Sequence, residues 1–232
     1  VQFRFQEDSA YVADRVLTKS ELNRFLVKYD GNPGYAPYAM PYSSPSDPVV
    51  SLRYTLARRY ARDGDLSKAI SLYPTKFKGP YHHRELRAQE GTLSALIERY
   101  TTQLKTGRNH SESRETRATA LMESASIARD YGLELFGTEY TPDNFMYGGS
   151  FPIALTPRAE SSMATVNERW RVSQHAPSIE RRYHYRWHAA DLMWEAATLL
   201  PDNDPLTARA LWQGGKWIAI SDPSGADRFY KA

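Results

Sequence analysis

Residues 56–73, LARRYARDGDLSKAISLY, hold the pattern that decides the fold. Leu56, Ala57 and Tyr60 recur at helical spacing, Gly64 interrupts them, and Ala69 and Tyr73 resume the periodicity. Glycine takes up the left-handed backbone that a tight interhelical turn needs, and the alanines at 57 and 69 let two helices approach closely. The stretch therefore predicts a helix, a turn and a second helix packed on the first. Pro74 follows at once. It lacks the backbone donor that would extend a helix, so the second helix should be short.

The same grammar extends along the chain, where strand signals are scarce. Asp47-Pro48, Asp204-Pro205 and Asp222-Pro223 each precede an apolar-periodic run, with the aspartate suited to cap a helix and the proline to its first turn. Thr18 to Glu21, TKSE, has the form of a capping box before LNRFLVKY, and Thr156-Pro157 opens a helix predicted to reach about Val172. Leu93, Leu96, Ile97, Tyr100 and Leu104 form one amphipathic stripe, and Ala118, Leu121, Met122, Ala125 and Ala128 form another. Two segments break the pattern. Residues 30–48, DGNPGYAPYAMPYSSPSDP, and 136–157, FGTEYTPDNFMYGGSFPIALTP, are rich in proline and tyrosine and read as long loops. Loops of this length are often functional, but their aromatic content favours segments packed along the helices as a cover.

The hairpin at 56–73 is also a unit that returns. Its six positions, Leu56, Ala57, Tyr60, Gly64, Ala69 and Tyr73, resemble the tetratricopeptide repeat. Ala190, Trp194 and Ala197 repeat the small, large, small spacing of that family's second helix, and Ala226 and Tyr230 restart it about 36 residues later, near the family's ~34-residue period. Gly214 and Trp217 fall where the intervening first helix places a glycine and an aromatic. A third copy runs from Leu96 and Tyr100 to Ala118, Met122 and Ala125, with KTGRNHSES (105–113) lengthening its turn. The resemblance covers about half of the chain.

What the resemblance implies is an all-α stack of antiparallel helical hairpins, a tetratricopeptide-like α-solenoid with two long Pro/Tyr-rich loops against it. The segments are an N-terminal helix and loop (1–47), helical hairpins (48–135), an irregular loop (136–157) and C-terminal helices (158–232), in one continuous helical domain. The last helix meets Ala232 in mid-pattern, so the natural protein is expected to continue. Stacked hairpins leave an extended concave surface. The family lines it from first helices, which carries over to Ser51, Tyr54, Arg58, Ala61 and Arg62. Tyr54, Arg58 and Arg62 share one row, and two guanidinium forks beside a ring suit a carboxylate or an acidic peptide. The other reading of the row is arginine in water or paired with local acids.

Composition sets limits. Apolar residues at 41% and charged residues at 25% of 232 are those of a folded protein, and a net charge of +3 points to neither nucleic acid nor an anionic membrane. With no cysteine, disulfides, thiolate metal sites and cysteine nucleophiles are excluded. No apolar run has the length of a membrane span. The opening VQFRFQEDSA has no initiator methionine, so earlier residues of the gene product are expected, and the compartment stays open.

The remaining chemistry gathers in residues 182–201, RYHYRWHAADLMWEAATLLP. On a helix from about Ser178 to Leu200, His184, His188, Asp191 and Glu195 share a face. Tyr183, Trp187, Ala190, Trp194 and Ala197 make an apolar row, as do Tyr185, Ala189, Leu192, Ala196 and Leu199. The polar stripe then reads as the outward edge of a packed helix. Its alternative is a metal site, because two imidazoles one turn apart can hold one ion with a carboxylate as a third ligand. Tyr185 stands where a zinc protease needs glutamate, and no second Glu-x-x-His pair supports a di-metal bundle. YGGSF (147–151) lacks nucleophile-elbow spacing, and His82-His83 reads as a turn. RRYAR and RRYHYRW interleave arginine with aromatics as base-stacking surfaces do, but buried interhelix aromatics explain them better at so low a charge. The expected function is a non-catalytic scaffold or assembly subunit that binds a protein or peptide without a cofactor. A metal-dependent enzyme built on the histidine row is the rival.

Overall fold

The computed structural model describes residues 12–29, 48–74, 92–137, 165–175 and 185–232. Among them the chain is mostly helical, with no strand. A π-helical turn, Val12–Val16, precedes α1 (Lys19–Tyr29), α2 (Pro48–Arg62) and α3 (Leu66–Leu72). Then come α4 (Leu93–Arg108), α5 (Arg114–Leu135), α6 (Val166–His175), α7 (Tyr185–Ala197), α8 (Pro205–Ile218) and α9 (Pro223–Tyr230). The two Pro/Tyr-rich segments lie outside the described residues but for their ends, and so do His82 and His83.

Helix starts follow local chemistry. At α1 the Thr18 N–H donates to Glu21 Oε2 at 2.8 Å, and the Glu21 N–H donates to Thr18 Oγ1 at 3.1 Å, which satisfies two donors that no helical carbonyl can reach. Asp204 and Asp222 cap α8 and α9, accepting from the Leu206 N–H at 2.8 Å and the Gly225 N–H at 2.7 Å. Between α2 and α3, Gly64 holds a φ of 80°, and α3 ends after 7 residues, just before Pro74. Of the helix expected from Pro157 to Val172, residues 157–164 lie outside the described ones; α6 runs from Val166 to His175. Its start is a second capping box: the Thr165 N–H donates to Glu168 Oε2 at 2.7 Å, and the Glu168 N–H donates to Thr165 Oγ1 at 3.2 Å.

The residues divide into two compact units, Val1–Ala95 with Leu133–Ile179 and Leu96–Gly132 with Glu180–Ala232. In the first, Ala13, Leu22, Leu26 and Leu56 form a buried cluster under Leu17, Val49, Leu52, Tyr60 and Leu72. In the second, a Cβ added to Gly107 of α4 would lie 2.6 Å from Leu121 Cγ of α5, so the hairpin closes only because glycine is there. Ala190, Ile218, Ala226 and Phe229 make a further core with Trp187, Trp194 and Leu211 against it.

Within that second unit α7 and α9 run side by side in the same direction. Trp187 Nε1 donates to Asp222 Oδ2 at 3.1 Å, Asp191 meets Arg228, and the rings of Trp194 and Phe229 lie edge to face with centroids 5.2 Å apart. The first two pairs are separated by 35 and 37 residues. Helix α8 packs against both neighbours, and a Cβ on Gly214 would meet Phe229 Cε1 at 2.6 Å and Met193 Cβ at 3.1 Å.

Candidate functional site

The row Tyr54, Arg58 and Arg62 turns inward. Tyr54 and Arg58 are buried at 3% and 6% exposure, with the Arg58 guanidinium carbon 4.8 Å from the Tyr54 ring centroid. Helix α5 leaves its last carbonyls without helical donors, and α2 and α3 supply them. The Tyr54 hydroxyl donates to the Glu134 carbonyl at 2.5 Å, the Tyr73 hydroxyl to the Leu135 carbonyl, and Arg62 Nη1 to the Phe136 carbonyl at 2.9 Å. Gly137, at a φ of 70°, then turns the chain away. The row completes the end of a helix inside its own unit and presents no open surface to a partner.

Arg62 also anchors the centre of a buried charge cluster. Its Nη2 donates to Asp14 Oδ1 at 2.5 Å, Arg15 lies 3.0 Å from the other Asp14 oxygen, and Arg59 Nη1 donates to the Ala13 carbonyl at 2.7 Å. Burial alone would raise the Asp14 pKa. Arg62, Arg15 and Arg58 outweigh it, holding the carboxyl well below its ordinary range and therefore ionised. At the edge of this unit Arg171 of α6 bonds to Glu21 Oε2 at 2.6 Å; with the two Thr18 bonds, it holds the half-buried Glu21 carboxyl down at about 2.

The second candidate row opens at the other unit. His184 lies outside the described residues, and the other three members go separate ways. His188 Nε2 and the Tyr100 hydroxyl share a hydrogen bond of 2.7 Å; Asp191 accepts from Arg228 Nη2 at 2.5 Å; Glu195 accepts from Arg108 Nε and Nη2 at 3.4 and 3.2 Å. Burial lowers the pKa of His188 and raises that of Tyr100, so both are neutral near pH 7. Among the described residues no three His, Asp or Glu side chains converge on one point. Chemically the row is a set of links between helices: one neutral pair and two ion pairs at the surface.

No family model, curated protein or solved structure matches the chain. Geometry and chemistry alone therefore carry the functional reading.

Sequence reasoning passed over two features. Asp14 sits ahead of the first periodic helix in a stretch with no motif, and its importance comes from arginines nearly 50 positions away. The outward face of α8 was legible: Arg209, Trp212 and Lys216 fall at i, i+3 and i+7, the spacing of one helix face. The repeat positions Gly214 and Trp217 lie off this face. Gly214 is buried against Phe229, whereas Trp212 is 57% exposed.

Proposed function

We propose that the chain is a non-catalytic helical-repeat scaffold, an assembly subunit that holds a protein or peptide segment on a helical surface. The carrying observation is the parallel pairing of α7 and α9. Residues 35 and 37 positions apart meet across them with α8 between, which is how successive hairpins of a tetratricopeptide-like stack bring equivalent helices together. The order small, large, small in α7 and the return of Ala226 and Tyr230 in α9 support the same reading. So does the use of the charged rows: Arg62, Asp191 and Glu195 all join parts of one unit. Partner recognition on such a stack falls to exposed helix faces.

The test is site-specific photo-crosslinking in the native cell, with the reactive residue at exposed Val27 of one unit and at exposed Ala208 of the other. The expected result is one partner protein, reproducibly joined at a defined face, that re-forms a complex of fixed stoichiometry with the purified chain. Absence of any such partner, combined with stoichiometric bound metal that is lost in His184→Ala/His188→Ala, would replace the scaffold by the metal-dependent alternative.

A further inference from the structure

The outward face of α8 carries Arg209, Trp212 and Lys216 in one row, all exposed. Helix α8, PLTARALWQGGKWI, contains no acidic residue. Neither cation forms an ion pair among the described residues, although acids of this unit elsewhere take basic partners, as Asp191 takes Arg228 and Asp227 takes Lys231. Lys216 Nζ instead stands 4.7 Å from the centroid of the Trp212 ring. Tryptophan is the side chain that interfaces use most as an anchor, and leaving more than half of it in water has no stabilising return within the unit. The opposite face of α8, with Ala210, Gly214, Gly215 and Ile218, is the buried one, so the row plays no part in the core.

We propose that this face docks an acidic peptide segment of a partner protein, with an apolar side chain seated on Trp212 and carboxylates on Arg209 and Lys216. The inference rests on the scaffold reading and supplies its partner class. The two cations lie seven residues apart on one helix, about 10 Å along its axis. In an extended segment that distance spans about three residues, so two carboxylates can bracket one apolar side chain. Arg209 offers a fork for bidentate bonding and Lys216 a point charge already held over the ring. A nucleic acid fits less well, since a phosphate backbone calls for a longer run of cations than two, and the whole chain carries only +3.

The experiment uses fluorescence anisotropy with the full chain and three labelled probes: the peptide Gly-Glu-Glu-Phe-Glu-Glu-Gly, its lysine counterpart Gly-Lys-Lys-Phe-Lys-Lys-Gly, and a single-stranded oligothymidylate. The acidic peptide should bind and weaken as salt rises, while the lysine peptide should not bind. Trp212→Ala should cost about tenfold or more in affinity, and Arg209→Glu/Lys216→Glu should abolish binding, with thermal unfolding unchanged in both because the three side chains are exposed. Trp212→Phe should retain most of the binding by keeping the ring. No binding of the acidic peptide, equal binding by Trp212→Ala, or tighter binding of the oligothymidylate would each overturn the proposal. A crosslinked partner mapped to Val27 with no signal at Ala208, one turn before Trp212 on the same face, would overturn it too, and would leave the scaffold reading standing.

Discussion

Arg62 shows how little a residue's type says about its task. Two guanidinium groups in a row with a tyrosine suggested a site for a foreign carboxylate, and the carboxylate is the chain's own, Asp14, with a backbone carbonyl as second acceptor. Removing Arg62 strips a buried carboxylate of its closest partner, so Arg62→Ala should lower the unfolding free energy by about 3 kcal/mol in urea denaturation. Tyr54→Phe, which leaves one carbonyl short of a donor, should cost only about 1 kcal/mol. Equal losses would mean that Asp14 is not the principal partner. His188 makes a pH prediction with a definite sign. Burial lowers its pKa below the ordinary 6.5, Asp191 and Glu195 oppose the shift, and Arg108 adds to it. As pH falls through 6.5 the unfolded chain takes up this proton before the folded one does, so stability is full above that value and declines toward the lower, folded pKa. His188→Gln should flatten that part of the melting-temperature profile relative to the parent. Identical slopes in the two proteins would remove His188 as the cause.

Helices were the most legible objects, because their ends are marked by local chemistry. TKSE and the Asp-Pro pairs at 204 and 222 act within four residues, and the structure uses each as the sequence indicates. Thr156-Pro157 lies outside the described residues, and α6 starts at TVNE, residues 165–168, which carries the capping-box signature of TKSE. Contacts between helices were less legible. Gly107, Gly214 and Gly215 look like breaks in a helical pattern, yet each gives a neighbouring helix room: Leu121 at Gly107, Phe229 at the other two. Gly214→Ala should therefore destabilise the protein by about 1–3 kcal/mol through overpacking, despite alanine's higher helix propensity. Phe229→Leu combined with it should recover part of the loss in a double-mutant cycle, since the smaller side chain vacates the contact. Strict additivity of the two losses would show that the clash is relieved elsewhere.

At the scale of the molecule, what could be read was the helical class. What could not be read was the interleaving of the two units along the chain, because Val1–Ala95 is completed only by Leu133–Ile179. No local pattern announces that Tyr54, Arg62 and Tyr73 need carbonyls from residues 134 to 136. A chain cut after Gly132 should therefore yield two pieces that both fail to unfold cooperatively, as followed by circular dichroism during heating; a sharp transition in residues 1–132 alone would contradict it. The helix end finished by Tyr54, Tyr73 and Arg62 has a consequence in time as well as in space. Its bonds join residues 80, 62 and 74 positions apart. The hairpin at 48–73 leaves the ribosome seconds before its carbonyl acceptors do, and in that interval its tyrosine hydroxyls and Arg62 Nη1 lack their native partners, while Asp14 is already synthesised. Closure of this long loop should be the slow, late event of the first unit's folding, and the nascent chain should stay open to chaperones until Phe136 has emerged.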